Sequence, residues 1–181
     1  MKNLKLKFAA FIIFISFSMN AQDTKMVGGA AMYPTKNIVE NAVNSKDHTT
    51  LVAAVKAADL VETLMSEGPF TVFAPINSAF EALPAGTVET LLKPENKEKL
   101  QAVLTYHVVA GKLSAEDLMK AIKDGKGKAS LATVNGGKLW IMKKGDSISV
   151  SDEKGNVAMV TIADVNQSNG VIHVIDTVLL P

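Results

Sequence analysis

Two different spacings of apolar residues divide this chain. In the first two thirds the apolar residues recur at helical spacing, as in Leu100, Val103 and Leu104, with His107 on the same stripe. From Lys128 onward they follow a period close to two, in segments separated by turn sequences such as NGG, KKGD and NQSNG. The candidate strands are residues 128–134, 138–142, 147–151, 157–165 and 170–179. Helices followed by a meander of strands predict an α+β domain.

Two of these strands carry a more specific expectation. Residues 147–151 alternate between serine and apolar residues, which predicts one face toward the core and one toward solvent. Residues 157–163 are almost continuously apolar, which is typical of a strand covered on both faces. We therefore expect the second strand to lie inside the sheet.

The segment GPFTVFAPINSAF, residues 68–80, joins a strand to a helix through a very short turn. Phe70 to Ala74 is rich in aromatic and β-branched residues and predicts a buried strand. Pro75 ends that strand, and Asn77 is placed to cap the following helix, which carries Phe80 on its apolar side. Because this corner is so apolar, other elements have to surround it. We therefore expect it at the centre of the core.

Helix starts elsewhere are marked by capping sequences. Asn37 with Glu40, and Ser114 with Asp117, have the spacing of a capping box. Thr87 is a further candidate cap for a short helix. These positions predict where helices begin in the first two thirds of the chain.

The N-terminus has the organisation of an export signal. Lysines at positions 2, 5 and 7 precede an apolar run of about ten residues, and residues 18–21 offer a cleavage site before Gln22. An uncleaved anchor or an amphipathic N-terminal helix is the alternative. We expect an exported protein, located in the periplasm, at the cell surface or outside the cell, whose mature chain has no membrane span. The predicted divisions are a signal peptide at 1–21, a leader or linker at 22–36 and one domain at 37–181.

Composition narrows the class of partner. Removing the three signal lysines from the 19 basic residues leaves 16 against 18 acidic ones, and the chain has no arginine. Without arginine there is no bidentate contact to phosphate or guanine, so we expect no nucleic-acid binding. The absence of cysteine excludes disulfides, thiolate metal sites and a cysteine nucleophile.

Three segments, in this order, resemble the signature segments of the fasciclin domain family: GPFTVFAPINSAF at 68–80, LTYHVVAGK at 104–112 and NGVIHVIDTVLLP at 169–181. The resemblance implies helices packed on a β-wedge of mostly antiparallel strands, with the first and last segments paired at the centre. It also implies a secreted or surface adhesion protein without enzymatic activity. In animal members the tyrosine-histidine segment is implicated in integrin binding, which here corresponds to Tyr106 and His107.

The residues themselves leave two interpretations of this region open. His107 on its apolar stripe and His173 among apolar strand residues are expected to be hydrogen-bonded core histidines. Tyr106 points about 100° away from His107 on a helix and is expected to be displayed outside. The resulting hypothesis is a partner-binding patch formed by Tyr106, His107, Val108 and Val109. The expected structural core is Phe70, Val72, Phe73, Asn77, Phe80, His173, Val174 and Asp176.

No catalytic pattern stands out. There is no G-x-S-x-G, no H-E-x-x-H and no ligand spacing among His48, His107 and His173, so we expect no enzyme activity, cofactor or metal. Asp176, flanked by apolar residues, is expected to accept hydrogen bonds from backbone donors or a hydroxyl. The hypothesis is an adhesion or recognition domain that binds a cell-surface or matrix protein or a polysaccharide. The alternatives are a small-molecule binder or weak hydrolase with a cleft near His107 or His173, and a structural envelope component.

Overall fold

The computed structural model of the protein describes residues 24–181, and the predicted export signal lies outside the described residues. The strands are β1 (Lys25–Val27), β2 (Ala30–Met32), β3 (Phe70–Pro75), β4 (Val108–Ala110), β5 (Lys128–Ala132), β6 (Lys138–Lys144), β7 (Ser147–Ser151), β8 (Val157–Gln167) and β9 (Gly170–Ile175). The helices are α1 (Ile38–Ala42), α2 (Thr49–Ala57), α3 (Val61–Met65), α4 (Asn77–Glu81), α5 (Thr87–Leu91), α6 (Lys97–Tyr106) and α7 (Ala115–Asp124), with 3₁₀ turns at Lys46–His48 and Pro94–Asn96.

Seven strands form one sheet in the order β4-β3-β9-β8-β7-β6-β5. The pair β3 and β9 is parallel, and the other pairs in this sheet are antiparallel. The sheet curls until its two edges meet, since Val109 bridges to Thr133 and the Val134 N–H donates to the Val108 carbonyl at 2.8 Å. The predicted α+β class, the five-strand meander and the interior position of β8 are confirmed.

The central parallel pair joins the first and last signature segments, as expected. Phe70 lies opposite Gly170 and Phe73 opposite His173 in its register. A Cβ atom at Gly170 would lie 2.1 Å from the Phe70 carbonyl oxygen, so this close start of the pair requires glycine. All six residues of β9 are buried, which places this strand in the interior of the protein.

Both faces of this pair are covered, because alternate residues of β3 enter two different apolar clusters. Phe73 packs in a cluster with Ile175 and with Leu118 and Ile122 of α7. Its neighbours Val72 and Ala74 belong to a second cluster, on the opposite face, which reaches α1 and the hairpin of β1 and β2. The buried members of that cluster are Val27, Met32, Ile38, Val72, Ala74, Val108, Val165, Ile172 and Val174.

The segment expected to be a leader or linker instead contains that hairpin. β1 and β2 pair antiparallel around Gly28 and Gly29, and both Val27 and Met32 are buried. The Lys25 ammonium donates to the Ala163 carbonyl at 2.7 Å, which fastens β1 to β8. Three-residue strands are too short to show a period, so the sequence pattern did not predict them.

The buried amide of Asn41 holds the other side of this hairpin. Its Oδ1 accepts from the Tyr33 N–H at 3.0 Å, and its Nδ2 donates to the Tyr33 carbonyl at 2.8 Å. The same Nδ2 also bonds to Gln167 of β8. One side chain therefore joins the hairpin, α1 and the sheet, which makes the hairpin part of the folded unit.

Two of the predicted helix caps are correct and two are not. Full capping boxes form at Asn37 with Glu40 and at Ser114 with Asp117. The prediction for Thr87 is wrong, since α5 is preceded by a left-handed Gly86 and has no side-chain cap. The prediction for Asn77 is also wrong, because α4 is preceded by Ile76 and has no side-chain cap bond.

Asn77 caps a different helix. Its Oδ1 accepts from the Thr50 N–H at 3.0 Å and from the Thr49 hydroxyl at 3.2 Å, which satisfies the start of α2. Its Nδ2 donates to the Lys46 carbonyl at 2.8 Å. The tertiary fold brings α4 against the start of α2, and that contact redirects the side chain away from its own helix.

Some expectations about burial are also corrected. The serine face of β7 is covered over most of its length, since Ser149 and Ser151 are buried and only Ser147 of this strand is exposed. Asp176 is exposed and is not a core residue, because the chain leaves the sheet after β9. Its carboxylate does accept a hydrogen bond from a backbone donor, the Met159 N–H at 2.8 Å, as expected. Phe70 and Asn77 are half-buried. Of the other residues expected in the core, those that are buried are Val72, Phe73, Phe80, His173 and Val174.

We predict that Asn77→Ala lowers the free energy of unfolding by about 1–2 kcal/mol, because α2 loses its cap and the Lys46 carbonyl loses a donor. Urea unfolding followed by circular dichroism measures the change. Ser78→Ala, at the neighbouring exposed position of the same helix, is the matched control. Equal stability of the two variants would show that the cap has no energetic importance.

Candidate functional site

The segment predicted to bind a partner lies where α6 runs into β4. α6 ends at Tyr106, His107 is its C-terminal cap residue and β4 begins at Val108. The exposed fractions are 0% for Tyr106, 3% for His107, 6% for Val108 and 5% for Val109. The expectation of a displayed patch is therefore wrong. β4 is paired with β3, and its Val109 is bridged to Thr133 just after β5, so chain segments on both sides of this strand cover Val108 and Val109.

The buried side chain of Tyr106 links α6 to β6 and to the turn after β7. Its hydroxyl donates to the Lys138 carbonyl at 2.7 Å and accepts from the Glu153 N–H at 3.2 Å. A Cβ atom at Gly137 would lie 2.6 Å from Cε2 of the ring, so glycine is needed beside it. Burial raises the pKa of Tyr106, with an opposing effect from the Glu153 hydrogen bond.

His107 ties the same helix to the C-terminal segment. Its Nε2 accepts a hydrogen bond from the Leu179 N–H at 3.0 Å, so Nδ1 carries the proton and donates to the Val103 carbonyl at 2.8 Å. Burial lowers the pKa of His107 to about 4, against smaller opposing effects of the Val103 carbonyl and the Asp152 carboxylate. Both ring nitrogens are occupied, which leaves none for proton transfer to a substrate.

His173 has the opposite tautomer and a similar role. Its Nδ1 accepts from the Asp164 N–H at 3.3 Å, and its Nε2 donates to the Leu113 carbonyl at 2.8 Å. The ring stacks on Phe73 with a centroid distance of 5.7 Å. Burial lowers the pKa of His173 as well, which keeps the ring neutral. It braces the irregular part of β8, where Asp164 has a positive φ of 54°.

The sequence suggested no role for the third histidine, His48. It is buried in the 3₁₀ turn before α2, and its Nδ1 lies 2.9 Å from the Ser45 hydroxyl. Its Nε2 has no hydrogen-bond partner. Burial lowers the pKa of His48, with a smaller opposing effect from the Ala74 carbonyl. No sequence signal marks this residue, because its surroundings come from α1, α2 and β3.

The hairpin presents an apolar and aromatic surface that the sequence pattern also missed. Met26 on β1 is 61% exposed and Tyr33, directly after β2, is 42% exposed. The Lys36 ammonium lies 5.2 Å from the centre of the Tyr33 ring. We call Met26, Tyr33 and Lys36 the hairpin face. It combines an exposed aromatic ring, an apolar side chain and a cation on an element that Asn41 holds in place.

Comparisons with known proteins identify the family. The model of the fasciclin domain matches residues 46–181, and the chain belongs to this family. Protein sll1483 of Synechocystis sp. is 51% identical over 160 residues, which cover 88% of this chain and 82% of that protein. Human periostin is 36% identical over 135 residues, 75% of this chain and 15% of periostin. The resemblance of the three signature segments is thereby confirmed.

A solved structure shows the same fold. It is a FAS1 domain pair from the insect cell adhesion molecule fasciclin I, with a TM-score of 0.73 and 18% sequence identity. The match covers 82% of this chain and 52% of that chain. Within residues 24–181 the protein has no helix of the length and apolarity that crossing a membrane requires.

Two substitutions of Tyr106 distinguish the contribution of its hydrogen bonds to stability from the contribution of its packing. We predict that Tyr106→Phe lowers the free energy of unfolding by about 1–3 kcal/mol, because the Lys138 carbonyl and the Glu153 N–H lose their partner. Tyr106→Ala should cost about 3–5 kcal/mol, because it also leaves a cavity. Urea unfolding of both variants tests this. A stability of Tyr106→Ala within about 0.5 kcal/mol of the native protein would contradict the buried role.

The lowered pKa of His107 predicts a dependence of stability on pH. Between about pH 6.5 and 4 the unfolded chain binds a proton at this histidine and the folded protein does not, so stability falls as the pH falls. From pH 7 to 4.5 the loss due to His107 should be about 2–3 kcal/mol. His48 and His173 act in the same direction.

The measurement is urea unfolding at several pH values in the native protein and in His107→Gln. The variant should be less stable at pH 7 and should lose less stability on acidification. Parallel curves for the two proteins would show that His107 is not the group that titrates.

Proposed function

We propose that this protein is an exported, non-enzymatic recognition domain that adheres to a cell-surface or matrix partner, either a protein or a polysaccharide. The observation that carries this proposal is the fasciclin family match over residues 46–181. A relative in fold is named as a cell adhesion molecule, which supports the same function here. Export is supported by the lysines and apolar run that open the sequence.

The buried state of residues 106–109 moves the proposed contact elsewhere on the molecule. A side chain that is fully covered in the folded domain cannot touch a partner unless the domain opens. The hairpin face is the better candidate, because Met26 and Tyr33 are exposed side chains on a fixed element. Tyrosine is enriched in the central contacts of protein interfaces and is also suited to stacking on a sugar ring.

The chemistry of the histidines supports a binding role over a hydrolytic one. His107 and His173 each use both ring nitrogens on backbone groups, and burial favours the neutral form of each ring. A general base needs a nitrogen within reach of a substrate proton. We therefore assign both rings to the scaffold that presents the exposed surface.

The binding test uses the purified exported chain against a panel of matrix proteins and surface polysaccharides. For a ligand found there, we expect the double variant Met26→Ala with Tyr33→Ala to bind at least about tenfold more weakly, because the interface loses its apolar and aromatic contacts. Surface plasmon resonance measures the affinity, and circular dichroism verifies the fold.

The matched control is Val134→Ala with Val157→Ala, two side chains that are 50% and 43% exposed outside the hairpin. Native affinity in the hairpin variant, together with loss in the control, would place the contact near β5 and β8 instead. Binding to isolated cell envelope without any preference among the panel would favour the structural envelope component.

A further inference from the structure

The outer side of the meander carries the one tryptophan of the chain. On β6, Leu139 and Ile141 belong to the first apolar cluster, so the alternate residues Trp140 and Met142 lie on the opposite side of the sheet. Both are partly exposed, and neither belongs to an apolar cluster of the described residues. We call this outer side of β5, β6 and β7 the meander face, and the residues that carry the argument are Lys128, Ser130, Lys138, Trp140, Met142 and Lys144.

Trp140 occupies the middle of the meander face. In the strand register it lies opposite Ser130 of β5 on one side and Ser151 of β7 on the other. Ser130 is exposed, and neither its hydroxyl nor the indole N–H of Trp140 makes a hydrogen bond with another group in residues 24–181. An indole ring offers an apolar surface to the C–H groups of a sugar, and the free N–H and hydroxyl suit the hydroxyl groups of that sugar.

The meander face is basic, although residues 22–181 hold 16 lysines against 18 acidic residues. β5, β6 and β7 contain four lysines and no aspartate or glutamate. The Lys128 ammonium lies 5.0 Å from the centre of the Trp140 ring. Lys138 and Lys144 stand on either side of Trp140 on the same strand, about 20 Å apart at the rise of a β-strand. None of these three lysines forms an ion pair within residues 24–181.

The acidic groups nearest in sequence lie in the turns at the ends of these strands. Asp146 is in the turn between β6 and β7. Glu153 follows β7, and its carboxylate accepts from the Lys138 N–H at 3.2 Å. The strands around Trp140 therefore carry positive charge alone. Unpaired cations spread over two strands complement a polymer that has a negative charge at regular intervals.

The position of Trp140 in the sheet favours a saccharide over other acidic polymers. β6 pairs with β5 and with β7, so its backbone groups are used within the sheet and an extended peptide cannot add a strand there. The chain has no arginine, which is the side chain best matched to phosphate, so a nucleic acid is the poorer fit. A sugar carboxylate needs only the point charge that a lysine supplies.

We propose that the meander face binds an acidic polysaccharide built of uronic acid units. One sugar ring lies against Trp140, and carboxylates lie beside Lys128, Lys138 and Lys144. The Ser130 hydroxyl and the indole N–H bond to sugar hydroxyls. This site adds a defined ligand to the proposed recognition function without depending on the hairpin face, which remains the proposed contact for proteins and uncharged polysaccharides.

Three probes test the proposal: tetragalacturonate, its methyl ester, which keeps the sugar rings and loses the charges, and a thymidine tetranucleotide. Isothermal titration calorimetry measures the affinities. The fluorescence of Trp140 reports whether binding occurs at this face, because no other tryptophan contributes. Tetragalacturonate should change the fluorescence and bind at least about tenfold more tightly than the other two probes, and its affinity should fall about fivefold or more between 0.05 and 0.5 M NaCl.

Variants separate the contribution of the ring from that of the charges. Trp140→Ala should bind tetragalacturonate at least about tenfold more weakly, because the surface for the sugar ring is lost. Lys138→Gln with Lys144→Gln should weaken binding of tetragalacturonate about fivefold and leave that of the ester unchanged. The matched control, Lys99→Gln with Lys120→Gln, removes the same charge from exposed positions on α6 and α7 and should leave all affinities unchanged. Circular dichroism verifies that each variant folds.

The hairpin variant Met26→Ala with Tyr33→Ala should bind tetragalacturonate as the native protein does. Loss of binding in that variant would assign the saccharide to the hairpin face and overturn this site. Equal affinity for tetragalacturonate and its ester would overturn the role of the lysines, and tighter binding of the tetranucleotide would make the face a nucleic-acid site instead.

Failure of tetragalacturonate to bind would overturn the proposal and would leave the test of the hairpin face unaffected. If Trp140→Ala does not fold, the lysine variants and the fluorescence of the native protein still decide between these outcomes.

Discussion

The structure depends on the parallel pairing of β3 with β9. These strands are separated by most of the domain in sequence, and the chain between them forms the helices α4 to α7 and the strands β4 to β8. Phe73 lies opposite His173 in the register and stacks on it with a centroid distance of 5.7 Å. Because the alternate residues of β3 enter two apolar clusters, this pair joins the layer of α7 to the layer of the hairpin and α1. Loss of this pairing would separate the two halves of the core.

Buried polar side chains then fasten single chain segments to this centre. His107 accepts from the Leu179 N–H, and the Asp152 carboxylate accepts from the Leu180 N–H at 2.9 Å, so two groups hold the last residues of the chain. Tyr106 does the same for the starts of β6 and the turn after β7. In each case a side chain satisfies backbone groups that no strand or helix satisfies. The tyrosine and histidine of the second signature segment are therefore required by the fold itself.

The hairpin of β1 and β2 connects the core to the surface. Its inner residues Val27 and Met32 are buried in the second apolar cluster, while its outer side exposes Met26 and Tyr33. The family match begins at residue 46, after the hairpin has ended. An element outside the matched region thus supplies both the proposed contact surface and part of the second apolar cluster.

Sequence patterns alone were sufficient for the α+β class, the central strand, the meander and the two capping boxes, because each depends on residues that are close in the chain. They were also sufficient to indicate buried histidines, since both stand among apolar neighbours. The direction of Tyr106, the partner of Asn77 and the environment of His48 were decided by the tertiary structure. Each of these side chains meets groups from distant segments, and helical geometry fixes an angle without fixing what lies in that direction. The hairpin was missed for a related reason, since three-residue strands have no period and are stabilised by the surface they cover.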